Sequence, residues 1–486
     1  MKNLLFLLLV PFISFSQIQI GDDIDGESMN DYSGCSVSLS SDGSVVAIGA
    51  YLNAGKAIGA GHVRVFKNIN NVWTQLGGDI DGEKKTDFSG WSLSLSSDGN
   101  VVAISSITND GANGEDSGQV RVFKNINNIW TQIGGGIDGE NEDDQFGYSI
   151  SISSDGSIVA IGTPYNDDNG GTSGHVRVFK NIDNVWTQIG SDIDGEAEAD
   201  YSGSSISLSS DGDVLAIGAH RNDGNGRSSG HVRVFRNIDN VWTQIGSDIN
   251  GEEHGDTFGF SVSLSSDGSI IAVGAPTNDG TAEKAGHVRV FRNINNVWTQ
   301  IGNDIDGESM NDESGSKVSI SADGSIVAIA APNNHNDSGL YAGHVRIFKN
   351  ENDVWTQIGE NIDGEFQQDY SGYSLSISSD ASVVAIGAVS NDIAGHVRLY
   401  DLSAVLSTQS FEKDYFSYYP NPVKDILNIQ LNKGLELKQV NIYNLQSQYL
   451  YSVKTSKIDV SKLASGLYFI EVETNQGKSA KKIIIN

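Results

Sequence analysis

The sequence predicts an all-β chain, a seven-bladed β-propeller followed by a small β-sandwich, and three observations carry that prediction. A unit anchored on the string DIDGE recurs seven times, with the first residue of its DG pair at Asp25, Asp81, Asp138, Asp194, Asn250, Asp306 and Asp363, 56 or 57 residues apart. Each unit reads as four short strands with no helical period. After the seventh unit the charge balance reverses: residues 411–486 hold ten Lys against seven Asp or Glu, in a chain whose net charge is -31.

Within a unit, SVSLSSDG alternates apolar and small polar residues before a DG turn, SVVAIGA is a continuous β-branched run, HVRVF alternates again, and VWTQIG is a short aromatic strand. Four strands repeated seven times close into a propeller, the arrangement that leaves few open sheet edges. The aromatic strand occurs six times, at Trp73, Trp130, Trp186, Trp242, Trp298 and Trp355, and the seventh unit ends at HVRLYDLS without it. Its replacement lies at the other end of the chain, where residues 17–21 (QIQIG) match the TQIG string. The organisation expected is therefore a signal peptide over 1–16, a propeller over 17–405 closed by its own N-terminal strand, a linker over 406–417 and a C-terminal module over 418–486.

Lys2 followed by the apolar stretch Leu4–Phe15, with small residues at Ser14 and Ser16, reads as an export signal. No later run approaches the roughly 20 apolar residues that span a bilayer, so no transmembrane segment is expected. With 62 acidic against 31 basic side chains, the chain repels phosphate backbones, which argues against nucleic acid as a partner. Cys35 is the one cysteine, so no disulfide framework supports the fold.

Antiparallel strands place the strand 2–3 loops and the segments between units on one rim, and the SSDG and KNINN turns on the other. Nearly all variation between units falls in the first set, loops 51–61, 107–118, 164–174, 220–230, 276–286, 332–343 and 389–395. Variable loops on a repeating scaffold are the expected binding surface. The same rim carries repeated carboxylates: Asp25, Glu27 and Asp31 in the first unit, Asp138, Glu140 and Asp144 in the third, and equivalents at Glu83, Asp87, Glu196, Asp200, Glu252, Asp256, Glu308, Asp312, Glu365 and Asp369. One reading makes them calcium ligands, calcium being the cofactor such hard oxygens would hold. The other makes them turn residues, with Asp-Gly forming a turn and the later Asp accepting backbone amides ahead of strand one.

Arg64, Arg121, Arg177, Arg233, Arg289, Arg346 and Arg398 recur at strand three on that rim and are expected to pair with the repeated Asp. His62, His175, His231, His287, His344 and His396 precede them by two, with Gln119 in the second unit. No second ligand lies near these histidines in sequence, so each is expected to make a structural hydrogen bond rather than a zinc site. The repeated Trp are expected to pack between blades, leaving Trp91, outside the repeat position, as the candidate exposed aromatic. Nothing resembles a nucleophile elbow or a phosphate loop, and a catalytic carboxylate pair cannot be picked from spacing.

Phe146-Gly147 and Phe258-Gly259, with Gly274-Ala275-Pro276 and Gly162-Thr163-Pro164, resemble FG-GAP repeats, the blades of the integrin alpha-chain propeller, over about 17–405. That resemblance implies extracellular recognition or adhesion. Calcium-binding members carry a DxDxDG loop between strands one and two, where this chain has SSDG, SADG or SSDA. Tyr419-Pro420-Asn421-Pro422, then ILNIQL, VNIYNLQ, IDVSKL, SGLYFIEV and a terminal KKIIIN with Lys481 and Lys482, resemble the C-terminal sorting domain of the type IX secretion system. The resemblance implies handling by that machinery and a secreted or outer-surface location. The combined expectation is a non-enzymatic binding or adhesion propeller whose partner is an extracellular protein or glycan, with a lectin-like module or a carboxylate-pair hydrolase as alternatives.

Overall fold

The structure, a computed structural model, describes residues 17–111, 113–406, 416–432, 434–444, 449–475 and 477–486. The expected signal peptide at 1–16 and most of the linker at 406–417 lie outside the described residues. The chain divides into two compact units, residues 1–405 and 406–486.

The first unit is a seven-bladed propeller. Blade one consists of Ser36–Leu39, Val45–Ala50, His62–Ile69 and Val72–Gln75 as neighbouring antiparallel strands, and the pattern recurs through the ring. The second strands are buried at every residue, as their unbroken apolar runs require, and the flanking first strands alternate. A fifth, two-residue strand completes each blade: the Ile-Asp of DIDGE pairs with the head of strand three, as in Ile80 with Val63 and Asp81 with His62.

Blade seven takes its outer strand from the N-terminus. Ile18 pairs with Asp401 and Gln19 with Tyr400, so the two ends of the propeller share one sheet. In the other six blades the Trp indole N–H donates to a carbonyl of the preceding outer strand, Trp186 to Ile133 at 2.9 Å and Trp298 to Ile245 at 2.8 Å. Gln17 stands at the Trp position of blade seven and donates instead to the Glu360 carbonyl at 2.9 Å. The repeated Trp are therefore packing residues.

On the SSDG rim the blades are linked in a closed circuit. The Ser41 amide donates to Ser97, Ser97 to Ser154, Ser154 to Ser210, Ser210 to Ser266, Ser266 to Ala322, Ala322 to Ser379, and Ser379 back to Ser41, each at 2.9–3.0 Å.

Blades three and five are pinned by Phe146 and Phe258, which are fully buried, where the other blades have Ser. Phe146 meets Phe179 edge-on at 6.3 Å and lies under the Arg177 guanidinium at 4.4 Å. Replacing Phe146 by Ala is expected to cost about 3–5 kcal/mol, the usual range for emptying a buried aromatic site. Urea unfolding followed by tryptophan fluorescence measures it, and a cost under about 1 kcal/mol would mean that the site collapses to the Ser-blade packing.

The second unit is a small β-sandwich of two sheets, one ordered Phe416–Tyr419, Ile426–Leu431, Lys457–Asp459 and the other Tyr449–Val453, Leu437–Tyr443, Gly466–Thr474, Gly477–Ile485. Phe416, Val423, Leu427, Val440, Ile442, Ile458, Ile470 and Ile483 fill the space between them. No described helix is long and apolar enough to cross a membrane.

Candidate functional site

The repeated carboxylates of one unit do not converge on a common point. Asp31 is buried and accepts the Ser28 amide at 2.8 Å and the Asn53 side-chain amide at 2.9 Å. Asp144 does the same with Asn141 and Asn166, both at 3.2 Å, and burial raises its pKa above the usual carboxylate value. These Asp are turn residues, whose lone pairs face donors of the fold. Asp138 accepts Gln119 at 2.8 Å, whereas Asp25 lies beside Asp23 and His396. Glu27 and Glu140 point instead toward the strand-three Arg and His.

The DG glycines correct the turn reading at their own position. None of Gly26, Gly82, Gly139, Gly195, Gly251, Gly307 and Gly364 has a positive φ. A Cβ on each would fall 2.0–2.6 Å from a carbonyl of the adjoining strand 2–3 loop, Ser117 in the case of Gly139. Glycine is needed there for close approach, which lets the DIDGE segment pair with strand three.

The strand-three Arg do not form the expected pairs with Asp side chains. Each reaches the backbone carbonyl of the DG position, Arg177 to Asp138 at 2.9 Å and Arg346 to Asp306 at 2.7 Å. The facing carboxylate is Glu, as in Arg177 to Glu140 at 3.1 Å and Arg121 to Glu83 at 3.6 Å. These Glu are well exposed, so the ion pair adds little and the buried guanidinium is held by the carbonyl and the aromatic beside it.

The histidines also depart from expectation. They are buried, and His175 and His396 have no hydrogen-bond partner on either ring nitrogen. The structure supplies the neighbours that sequence distance concealed. His62 Nδ1 lies 3.9 Å from Glu27 and 4.0 Å from Asp79, one segment entering the blade and the other leaving it. Burial, reinforced by the adjacent Arg, pushes His175 and His231 down to about 4, so the rings are neutral at physiological pH.

A concave feature lies on the propeller axis. The first strands of all seven blades enclose a cavity of about 550 Å³, with Tyr51, Trp91, Tyr148, Phe260, Tyr370 and Tyr373 at its lining. Rings follow one another around its mouth: Tyr32 to Tyr51 at 5.6 Å, Tyr51 to Trp91 at 5.1 Å, Trp91 to Tyr148 at 5.6 Å, Tyr148 to Tyr165 at 5.9 Å, Tyr165 to Tyr201 at 5.6 Å, Tyr201 to His220 at 5.8 Å and His220 to Phe260 at 5.5 Å. Blade six interrupts this arc with polar groups, Glu313 accepting Asn333 at 2.7 Å above Lys317. Trp91 is half-buried within the arc rather than freely exposed.

Tyr51, Tyr165 and His220 come from the variable loops 51–61, 164–174 and 220–230. Trp91, singled out in the sequence, belongs to a column that follows the Gly of FG or SG, whose other members Cys35, Tyr148, Ser204, Phe260, Ser316 and Tyr373 the sequence reading did not connect with it. Aligned column by column, that position changes at nearly every blade while its neighbours repeat, which is the signal that could have found it. Cys35 itself is buried, with Sγ near the Gly49 and Gly90 carbonyls at 3.2 and 3.3 Å, and burial pushes its thiol up to about 11.

In the second unit the two ends of the expected sorting signal meet. Asn421 Oδ1 accepts the Ile484 amide at 2.8 Å, Tyr418 donates to the Lys482 carbonyl at 2.6 Å, and the Lys481 ammonium stands 5.3 Å from the Phe416 ring. Tyr419 is exposed, whereas Pro420 and Pro422 flank the tied Asn421.

Fold and site together define a repeat propeller carried ahead of a compact β tail. Residues 417–486 match the secretion system C-terminal sorting domain, and residues 138–179 and 250–291 match the FG-GAP repeat. The propeller thus contains two FG-GAP repeat segments, and the chain bears a type IX secretion sorting domain. The two matched FG-GAP segments are the blades that hold Phe146 and Phe258. Among curated proteins there is no significant match. Two solved structures match the chain over much of its length. A candidate 6-phosphogluconolactonase from Bacteroides uniformis shares 14% identity over 70% of this chain and 88% of its own, at a TM-score of 0.47. The periplasmic gluconolactonase of Pseudomonas aeruginosa shares 14% over 82% and 93%, at 0.44. The sorting domain marks the chain for export by the type IX machinery, to a secreted or cell-surface location.

Proposed function

We propose that the exported chain is a non-catalytic binding propeller that takes a glycan at the aromatic mouth of its axial channel, serving recognition or adhesion outside the cell. The observation that carries this reading is the run of rings from Tyr32 to Phe260, each within 6 Å of the next. Pyranose rings present C–H groups of positive potential, which suit the negative face of an aromatic side chain. A sequence of such faces around an axis accommodates successive sugars or a branched chain end, while Glu313, Asn333 and Lys317 offer hydroxyl partners on the remaining side. Below the rings the lining is rich in hydroxyls, among them Ser36, Ser92, Ser149 and Ser205, which suit the polar edge of a sugar.

Binding without turnover fits the same lining. Hydrolysis of a glycosidic bond by acid and nucleophile takes two carboxyl groups. Among the described lining residues the carboxylate is Glu313 alone. The test is affinity electrophoresis or a glycan array with the exported chain and its Trp91→Ala and Tyr148→Ala variants. The expected result is retention by at least one polysaccharide, weakened about tenfold or more by either substitution, which corresponds to roughly 1.4 kcal/mol of lost contact. Retention that is indifferent to both would remove the channel mouth as the site, and release of reducing ends would make the chain a hydrolase.

A further inference from the structure

We propose that the rim of blade three binds a divalent transition-metal ion of the zinc type through His175 Nδ1 and the carboxylates of Glu140, Asp168 and Asp192. One ligand atom from each of the four lies within 4.8 Å of all the others. They come from four separate segments: the DIDGE segment entering the blade, the variable loop, the head of strand three and the segment leaving it. His175 is fully buried and held by strand pairing on both sides, to Thr163 and to Asp194. Neither of its ring nitrogens has a hydrogen-bond partner, and Nδ1 looks toward Asp168 Oδ2 at 3.9 Å. The buried imidazole nitrogen has no partner, whereas Glu140 also faces Arg177 at 3.1 Å and Asp168 and Asp192 accept the amides of Asn166 and Gln188, each with a second oxygen left for a cation.

The chain contains its own comparison. In blade two the His is Gln119 and the residue equivalent to Asp192 is Gly136, so both ligands are replaced together. Gln119 turns to Asp138 at 2.8 Å, and a Cβ at position 136 would fall 2.6 Å from its amide nitrogen. The Gln thus fills the space in which the carboxylate stands elsewhere. Blades one, four and five keep three of the four, Glu27, His62 and Asp79 in the first case, and carry Gly55, Gly224 and Gly280 where blade three has Asp168.

The donor set selects the metal. Calcium takes six to eight oxygens, whereas one imidazole with three carboxylates suits zinc or a neighbouring transition ion. Zinc would bring its ligands to about 2.0–2.2 Å, hence roughly 3.3–3.6 Å from one another. The well-exposed Glu140 and Asp168 have room to swing inward onto the fixed His175.

The test is equilibrium dialysis of the full exported chain, stripped with chelator, against zinc alone, with cobalt as the visible-absorbing substitute. The expected result is uptake at micromolar zinc that survives excess calcium, and the loss of one equivalent in the His175→Gln/Asp192→Gly variant, which installs residues the fold already accommodates in blade two. Asp168→Asn should weaken one site about tenfold without altering far-UV circular dichroism. No uptake, equal stoichiometry in the double variant, or displacement by calcium at matched concentration would each overturn the assignment.

Discussion

Deleting residues 17–21 is expected to open the propeller, lowering its stability by about 4–6 kcal/mol, because the deletion removes several hydrogen bonds worth roughly 1 kcal/mol each together with a half-buried isoleucine. The bonds are specific. The segment pairs Ile18 with Asp401 and Gln19 with Tyr400, Ile20 donates to Leu399 and accepts the Trp73 indole, both at 2.8 Å, and Gln17 reaches Glu360. Ile20 also packs on the core shared by blades seven and one, with Val37, Ile48 and Leu399. A loss of this size takes up much of the typical 5–15 kcal/mol of a folded domain. The measurement is the urea midpoint of the exported chain with and without these residues. Removing residues 406–486 instead, a separate compact unit, should leave the propeller midpoint in place. An unchanged midpoint in the N-terminal deletion would show that the ring is held by blade packing alone.

Acidification is expected to destabilise the propeller between about pH 6.5 and 4, a window to which the buried His344 and the half-buried His220 contribute. Burial, with Arg346 beside it, holds His344 down to about 3, and burial, with Arg221, holds His220 at about 4. A ring depressed in the native state binds its proton more readily when unfolded, so its stabilising contribution is complete above 6.5 and is lost as the pH falls toward the native value. At ~1.4 kcal/mol per unit, the two together are worth on the order of 7 kcal/mol across that window. His344 faces Glu308 at 3.8 Å and Asp363 at 3.9 Å, and His220 faces the Ser204 hydroxyl at 2.9 Å. Burial raises the carboxyls of Asp312, Glu313 and Asp363. Their contribution has the opposite sign and grows only near the carboxylate range, around pH 4. The check is the urea midpoint across pH 7 to 4 for the parent and for His344→Gln, the residue blade two carries there. The variant should show a shallower decline, and parallel curves would refute the assignment.

The strands could be read from the chain because each is a local pattern, repeated often enough to average out exceptions. Closure could be read because the Trp string is missing once and its echo stands at Gln17. The rim chemistry was not readable in the same way. Glu140, His175 and Asp192 meet only when the DIDGE segment leaving the blade pairs with strand three, Asp194 beside His175, and no spacing rule announces that pairing. The DG glycine suggested a turn from composition, whereas its requirement comes from a carbonyl on another segment. The repeated Arg were matched to Asp by charge, but the nearer acceptors were a main-chain carbonyl and a Glu. The aromatic mouth was written in the sequence at Trp91, Tyr148 and Phe260, yet only their shared column shows that separate loops address one axis.

The circuit of amides that runs from Ser41 through Ser379 and back to Ser41 gives the repeat number a geometric meaning. Units this similar invite unequal exchange between copies of the coding sequence. A product with six or eight blades would have to change the angle at every link at once, or leave one donor and one acceptor unmatched at a seam. An exchange confined to a strand 2–3 loop disturbs no link. Length in whole repeats is therefore quantised by one rim, while the surface offered to a partner can be rewritten, loop by loop, on the other.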